Sequence, residues 1–319
     1  MKIVFLDAAT AGKDMDMGMF SKYGDTEIFD VTPEDKLCER LKDADVAITN
    51  KCKISAKVME SAEKLKLVCI IATGYDNVDI ECAKKRGIAV CNVKGYSTDC
   101  VAQLTVSLVL SLVCHIREYD DFCKSGEYTK SGLMNCLEPV YYELCGKTWG
   151  LYGYGNIAKK VAEAAKALGC KVITCRKHKS EDVECVSLEE LFERSDIVTL
   201  HTPLNAGTER SVNENLLDRI KKKNFILVNV ARGGVTDEKA VAEAVKSGKI
   251  AGFATDVYTK EPMDENSPFY ELLTYKNVIF TPHMAWGAYE TRVRLLDETC
   301  KNIEAFFSGE KRNRIDLLQ

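Results

Sequence analysis

The sequence predicts an α/β protein built from two doubly wound parallel-sheet domains. Three observations predict it. A chain of 319 residues exceeds the roughly 150 residues typical of one domain, which points to two. Short apolar runs alternate with helical periodicity along almost the whole length, which implies β-α-β units and parallel sheets. A glycine-rich segment, Gly153-Tyr154-Gly155-Asn156-Ile157-Ala158, lies between a strand-like run and a helix-like run where a second alternating series begins.

Taken in order, the first series has strand candidates at Ile3–Leu6, Val46–Thr49, Leu67–Ile71 and Ile88–Cys91. Helical periodicity fills the gaps at Pro33–Leu41, Ala56–Ala62 and Ile80–Arg86. A long amphipathic segment, Val101 to Phe122, leads into an irregular stretch from Lys124 to Glu143, rich in Gly, Ser and Tyr. The second series has strands at Thr148–Tyr152, Lys171–Thr174, Ile197–Leu200, Phe225–Val230, Gly252–Thr255 and Val278–Phe280. Its helices fall at Ile157–Leu168, Leu188–Glu193, Glu214–Arg219 and Glu238–Ser247, and a last helix runs from about Ala288 to Phe307. That last helix is long enough to return to the first domain. The first domain is therefore expected to take residues 1–96 and 290–319, with residues 97–289 inserted as the second.

Composition narrows the function. Hydrophobic residues make up 46% and charged residues 29%, the balance of a folded globular chain. With 44 basic and 48 acidic residues the net charge is −4, which gives no reason to expect nucleic acid or an anionic membrane as partner. The longest nearly apolar stretch, Leu104 to Cys114, is shorter than the roughly 20 residues of a membrane span. The start reads as a first strand and not as a signal peptide, because Asp7 follows the apolar run at once. Fourteen cysteines occur, none in a Cys-x-x-Cys pair and none beside histidine at zinc spacing. No metal site is expected. The cysteines read as buried free thiols in a reducing cytoplasm.

Open parallel sheets bind ligands outside the carboxyl ends of their strands. Six strands of the second series end in small or polar groups, so one edge of that domain is expected to be a binding rim. The glycine segment fits the G-x-G-x-x-A pattern in the context that pattern requires, after a strand and opening a helix. Gly153 permits a tight turn, Gly155 lets backbone N–H groups approach a pyrophosphate, and Ala158 permits close helix packing. The helix N-terminus favours the phosphate charge. The carboxylate that usually holds an adenine ribose should end the next strand. Arg176 stands there instead, followed by Lys177 and His178. An arginine clamps a 2′-phosphate that a carboxylate would repel, which favours NADP(H) over NAD(H).

The chain has four histidines, His115, His178, His201 and His283. His283 follows Thr281-Pro282 at a strand end and can pass a proton near neutral pH. Glu261, in Lys260-Glu261-Pro262, can orient that imidazole and stabilise its charged form. Arg232, in Ala231-Arg232-Gly233-Gly234, suits a substrate carboxylate. His115 reads as a packed residue of the long helix. His178 is a candidate for cofactor phosphate, and His201 for lining the cofactor site.

The chain resembles the D-isomer-specific 2-hydroxyacid dehydrogenase family over nearly its whole length. The resemblance rests on Leu144-Cys145-Gly146-Lys147-Thr148 leading into the glycine motif, Leu200-His201-Thr202-Pro203-Leu204, Asn229-Val230-Ala231-Arg232-Gly233-Gly234, Asp256-Val257 to Glu261-Pro262, and Thr281-Pro282-His283. It implies a flavodoxin-like substrate domain, a Rossmann cofactor domain, and Arg232, Glu261 and His283 as the active-site trio. Cofactor binding is implied for Tyr154, Asn156 and Ile157 in the glycine loop and for Arg176 and Lys177 after the next strand. It is also implied for His201, Thr202, Pro203 and Thr208, for Val230 and Ala231, and for Asp256 and His283. Substrate binding is implied for Lys51, for Thr73, Gly74 and Tyr75 in a loop whose amides meet the carboxylate, and for Arg232 and Trp286. The segment from about 101 to 143 resembles the family's dimerisation region, so a homodimer is expected.

Thr281-Pro282-His283-Met284-Ala285-Trp286, Gly95 to Gln103 and Asn50-Lys51 look most like glycerate dehydrogenases, also called hydroxypyruvate reductases. The implied reaction is reversible reduction of a small 2-oxo acid, hydroxypyruvate or glyoxylate, to the D-2-hydroxy acid. A D-lactate-type specificity is the enzymatic alternative. A dinucleotide-sensing module without turnover is the alternative of another class. A formate dehydrogenase is disfavoured by Glu261, since that pattern lacks a carboxylate partner for the histidine.

Overall fold

A computed structural model of the protein describes residues 1–177 and 182–318. In chain order its strands and helices are β1 (Lys2–Phe5), β2 (Asp25–Ile28), α1 (Leu37–Leu41), β3 (Val46–Thr49), α2 (Ala56–Ser61), β4 (Leu67–Ile70), α3 (Ile80–Arg86) and β5 (Ala89–Cys91). Then come α4 (Thr98–Val113), α5 (Ile116–Lys124), α6 (Glu127–Ser131), β6 (Thr148–Tyr152), α7 (Asn156–Ala167), β7 (Lys171–Cys175) and β8 (Glu184–Cys185). The chain continues through α8 (Leu188–Arg194), β9 (Ile197–Leu200), α9 (Glu214–Leu217), β10 (Ile226–Asn229), α10 (Glu238–Lys246), β11 (Gly252–Thr255), β12 (Val278–Phe280) and α11 (Tyr289–Phe307). It divides into two compact units, Met1–Ser97 with Gly287–Gln319, and Thr98–Trp286. The second crossing thus falls at 286/287, ahead of the 289/290 read from sequence, because α11 begins only at Tyr289 and its lead-in belongs to the first unit.

The first unit carries a parallel sheet in the order β2-β1-β3-β4-β5. Strands β3, β4 and β5 are buried throughout, which explains why they read as unbroken apolar runs. The strand order reverses between β1 and β3. There Asp7, which follows β1 by two residues and is buried, accepts hydrogen bonds from the backbone N–H groups of Asn50, Lys51 and Cys52, just past β3. The Thr49 hydroxyl donates to the same carboxylate at 3.2 Å. One charge thereby satisfies several donors that the strand end leaves without ladder partners.

The second unit carries seven parallel strands in the order β12-β11-β10-β9-β6-β7-β8. Helices α4 and α7 cover one face, where Leu108, Val109 and Leu112 pack with Trp149, Val161, Ala165 and Val228. Helices α8, α9 and α10 cover the other, around Phe192, Leu216, Phe225, Val241 and Phe253. The reversal here lies between β6 and β9. Gly153 sits at that point with φ 93°, and a Cβ on it would lie 2.8 Å from the His201 carbonyl oxygen. Only glycine fits both the positive φ and the close backbone.

Five sequence expectations need correction. The segment 101–122 is not one helix: α4 and α5 meet at 61°, and His115 between them adopts a left-handed conformation with φ 51°. That conformation ends a helix, and the His115 ring is held by Glu118 at 2.9 Å. The stretch 124–143 is not wholly irregular, since it contains α6. The helix expected from Pro33 is split into a short tight turn, Glu34–Lys36, and α1. Strands β2 and β8 were not visible as apolar runs, because both are edge strands with partly or fully exposed residues. All fourteen cysteines are free, as expected, but only Cys69, Cys91, Cys170 and Cys300 are buried. No single helix among the described residues is long and apolar enough to cross a membrane.

Asp7→Ala should lower stability by about 2–4 kcal/mol, the cost of stranding part-buried donors of a charge-assisted cluster. Asp7→Asn, which keeps one acceptor oxygen, should lose less. Urea unfolding of the two variants checks the order.

Candidate active site

Because the strands of the second unit are parallel, their carboxyl ends share one edge. Tyr152, Leu200, Asn229, Thr255 and Phe280 are register partners in turn across β6, β9, β10, β11 and β12. The residues that follow them therefore line one rim.

After β12, His283 takes a positive φ of 51°. Its Nδ1 lies 2.6 Å from Glu261 Oε2, and both side chains are about a quarter to a third exposed. The other oxygen, Glu261 Oε1, accepts the Tyr258 backbone N–H at 3.1 Å. A carboxylate on Nδ1 makes that nitrogen the proton-bearing one and leaves Nε2 as the nitrogen that can meet a substrate. The loop around His283 is fixed from below. Asp256 is almost fully buried, and its carboxylate accepts the Thr281 hydroxyl at 2.6 Å and the N–H groups of Met284 and Ala285 at 2.9 and 2.8 Å. The Tyr258 hydroxyl donates to Thr281 O at 2.9 Å.

Arg232 follows β10 by three residues and is half-buried. Asn229 shapes its turn, accepting the Ala231 N–H and donating to Arg232 O, each at 3.0 Å. Arg232 Nη1 donates to Ala231 O at 2.8 Å. The next residue, Gly233, lies so close to the loop bearing Glu261 that a Cβ would sit 1.9 Å from the Tyr258 carbonyl carbon. The turn that presents Arg232 thus packs, backbone on backbone, against the loop that presents Glu261.

At the β6 end the residues fit a dinucleotide. Helix α7 is capped by Gly155 with no side-chain hydrogen bond to its first N–H groups, and a Cβ on Gly155 would meet nothing within 4 Å. The positive end of α7 is thus open to an anion. Asn156 and Ile157 form its first turn, and Ala158 is buried against the core. Tyr154 is buried, and Arg176 and Lys177 follow β7. His178 lies outside the described residues.

His201 follows β9 directly, with its Nε2 2.9 Å from the Thr199 hydroxyl, which accepts the Trp149 indole N–H at 3.1 Å. Burial pushes the His201 pKa down to about 3, so the ring is neutral and does not carry protons near neutral pH. Thr202 and Val230 are buried and Ala231 half-buried along the same rim. The Thr208 hydroxyl donates to Pro203 O at 2.6 Å, which closes its own turn.

The other expected residues have these surroundings. Asp256, expected at the cofactor, spends its carboxylate on the His283 loop. Trp286 is packed against the core of the second unit. Thr73, Gly74, Tyr75 and Lys51 lie in the first unit, at the carboxyl edge of its own sheet. There the Thr73 hydroxyl donates to Val93 O at 2.8 Å and the Lys51 N–H to Asp7. Tyr258 was missed, and no local signal marks it, since its partners are set by tertiary contacts. Among the described residues no cluster of His, Cys, Asp or Glu could hold a metal ion.

A dinucleotide-type sheet with a carboxylate-bound histidine on its rim defines the class: a nicotinamide-type oxidoreductase fold. The comparisons give the family. Residues 106–285 match the family model for the D-isomer specific 2-hydroxyacid dehydrogenase NAD binding domain. A hydroxypyruvate reductase of Blautia hydrogenotrophica is 33% identical over 99% of this chain and 100% of its own. A glyoxylate reductase of Thermococcus litoralis is 37% identical over 92% of this chain and 90% of its own. Among solved structures, an acyclic imino acid reductase in complex with NADPH and D-Arg superposes with a TM-score of 0.86 at 32% identity, covering 99% of this chain and 100% of that one. The chain belongs to the D-isomer-specific 2-hydroxyacid dehydrogenase family.

His201 makes an acid-sensitivity prediction. Its folded pKa is depressed below the unfolded value, so between about pH 6.5 and 3 the unfolded chain binds the extra proton. Stability should fall with acid across that window, by up to about 1.4 kcal/mol per pH unit from this residue. Denaturant midpoints measured against pH should show a shallower acid slope for His201→Gln. Gly233→Ala should cost both stability and activity, because it pushes apart the two loops that carry Arg232 and Glu261; steady-state kinetics beside thermal unfolding check this.

Proposed function

We propose that the protein reversibly reduces a small 2-oxo acid, hydroxypyruvate or glyoxylate, to the D-2-hydroxy acid, with NADP(H) preferred over NAD(H). The observation that carries the reading is the 2.6 Å contact of Glu261 with His283 Nδ1 on the rim that also holds the open α7 N-terminus. The names of the hydroxypyruvate and glyoxylate reductase relatives support the substrate class.

When bound, the nicotinamide supplies the hydride that reaches the carbonyl carbon. His283 Nε2 gives its proton to the carbonyl oxygen as the alkoxide forms, and takes it back in the oxidative direction. Glu261 holds the imidazole in the orientation that leaves Nε2 outward, and offsets the charge of the imidazolium. Arg232 binds the substrate carboxylate through its guanidinium fork. Asp256 and Tyr258 keep the His283 loop in place. Gly155 and the first turn of α7 hold the pyrophosphate, and Arg176 with Lys177 meets the 2′-phosphate.

We also propose a homodimer in a reducing compartment, the cytoplasm. Leu133, Met134, Leu137 and Val140 are 60–94% exposed along one segment, a surface that a second copy would cover. Fourteen free thiols suit a reducing environment.

His283→Ala should lower kcat about 100- to 10,000-fold; near-wild-type kcat with any 2-oxo acid would overturn its role. Initial rates with hydroxypyruvate, glyoxylate, pyruvate and larger 2-oxo acids test the substrate class, and should be highest for the first two. Wild-type kcat/KM should be higher with NADPH than with NADH, and Arg176→Asp should erase the difference. Light scattering at micromolar concentration should give twice the chain mass.

A further inference from the structure

Tyr154 fills the loop between Gly153 and Gly155. It is buried, packed in the cluster that holds Ala158, Val161 and Ala162 of α7, so its plane is fixed by the core. The Arg176 guanidinium carbon lies 5.7 Å from the ring centroid, and Lys159 Nζ of the first turn of α7 lies 5.9 Å from it. One aromatic ring thus gathers two cations at the mouth of the anion-binding helix. Among the described residues no ion pair engages Arg176, Lys159 or Lys177. Asp182 and Glu163 lie near enough to raise the Tyr154 hydroxyl, as burial does, so the ring stays neutral. Asp182 is exposed and screened by solvent.

A free arginine at the end of a strand samples many rotamers, and ordering it weakens its hold on a ligand. A guanidinium drawn over an aromatic face is restrained, with its fork still able to take a phosphate. We propose that the Tyr154 ring is the platform that sets Arg176 for the 2′-phosphate of the adenine ribose, making Tyr154 a positioning residue for cofactor choice. The proposal rests on the NADP(H) reading. It assigns the discrimination to the ring and not to the hydroxyl.

Calorimetric titration of the full chain tests it with two probes that differ only in the 2′-phosphate, adenosine 2′,5′-bisphosphate and 5′-AMP. The wild type should bind the bisphosphate more tightly. Tyr154→Leu should reduce that preference about 3- to 10-fold, the worth of a cation–π contact, by weakening the bisphosphate more than 5′-AMP. Tyr154→Phe should keep the wild-type ratio. Arg176→Gln should lose the preference, and the double variant Tyr154→Leu with Arg176→Gln should lose no more than Arg176→Gln alone. A wild-type ratio in Tyr154→Leu overturns the proposal, as do equal losses for both probes or losses that multiply in the double variant. A wild type indifferent to the 2′-phosphate overturns the NADP(H) reading itself.

Discussion

The geometry of the Glu261–His283 pair depends on another carboxylate, that of Asp256. Asp256 is buried at the end of β11, where it ties the Thr281 hydroxyl and the N–H groups of Met284 and Ala285. Those bonds hold the strap in which His283 takes an otherwise unfavourable positive φ. A buried charge is tolerable only when its oxygens are taken up by donors, so the same bonds that position the histidine also stabilise the aspartate. Asp7 repeats the device in the first unit, where it gathers the backbone at the end of β3. In both sheets a buried aspartate at one strand end fixes the loop that follows a neighbouring strand.

Chemistry is then divided among groups of different exposure. His283 and Glu261 are partly open and paired, which suits proton exchange with a bound substrate. His201, two residues from the Thr199 hydroxyl that binds it, is desolvated and neutral. It contributes shape and polarity to the rim. His115 bonds Glu118 at the corner between α4 and α5 and takes part in no rim. The side chains differ less in type than in what surrounds them. Glycines supply the remaining precision, at Gly153 between β6 and β9 and at Gly233 between the Arg232 and Glu261 loops.

Much of the fold was legible in the sequence. The buried parallel strands read directly as apolar runs, and β3, β6, β9, β11 and β12 begin and end where the pattern puts them. The trio Arg232, Glu261 and His283 stood out because each follows a strand of the same series. What stayed hidden depended on distant contacts or on weak pattern. The edge strands β2 and β8 lack a buried face to mark them. The corner at His115 interrupts a pattern whose apolar period runs on through it. The partners of Asp256 stayed hidden because a strand end says where a side chain begins, not which way it turns. Tyr258 carries no signal in its own neighbourhood, since Thr281 lies far along the chain.

The central claim is that Glu261 and His283 act as one acid–base unit on the rim. A double-mutant cycle on kcat/KM for a 2-oxo acid tests it most directly, using Glu261→Gln, His283→Ala and the two combined. Groups that act as a unit are non-additive. The double variant should be no slower than His283→Ala alone. Losses that multiply across the two substitutions would show independent action and contradict the account.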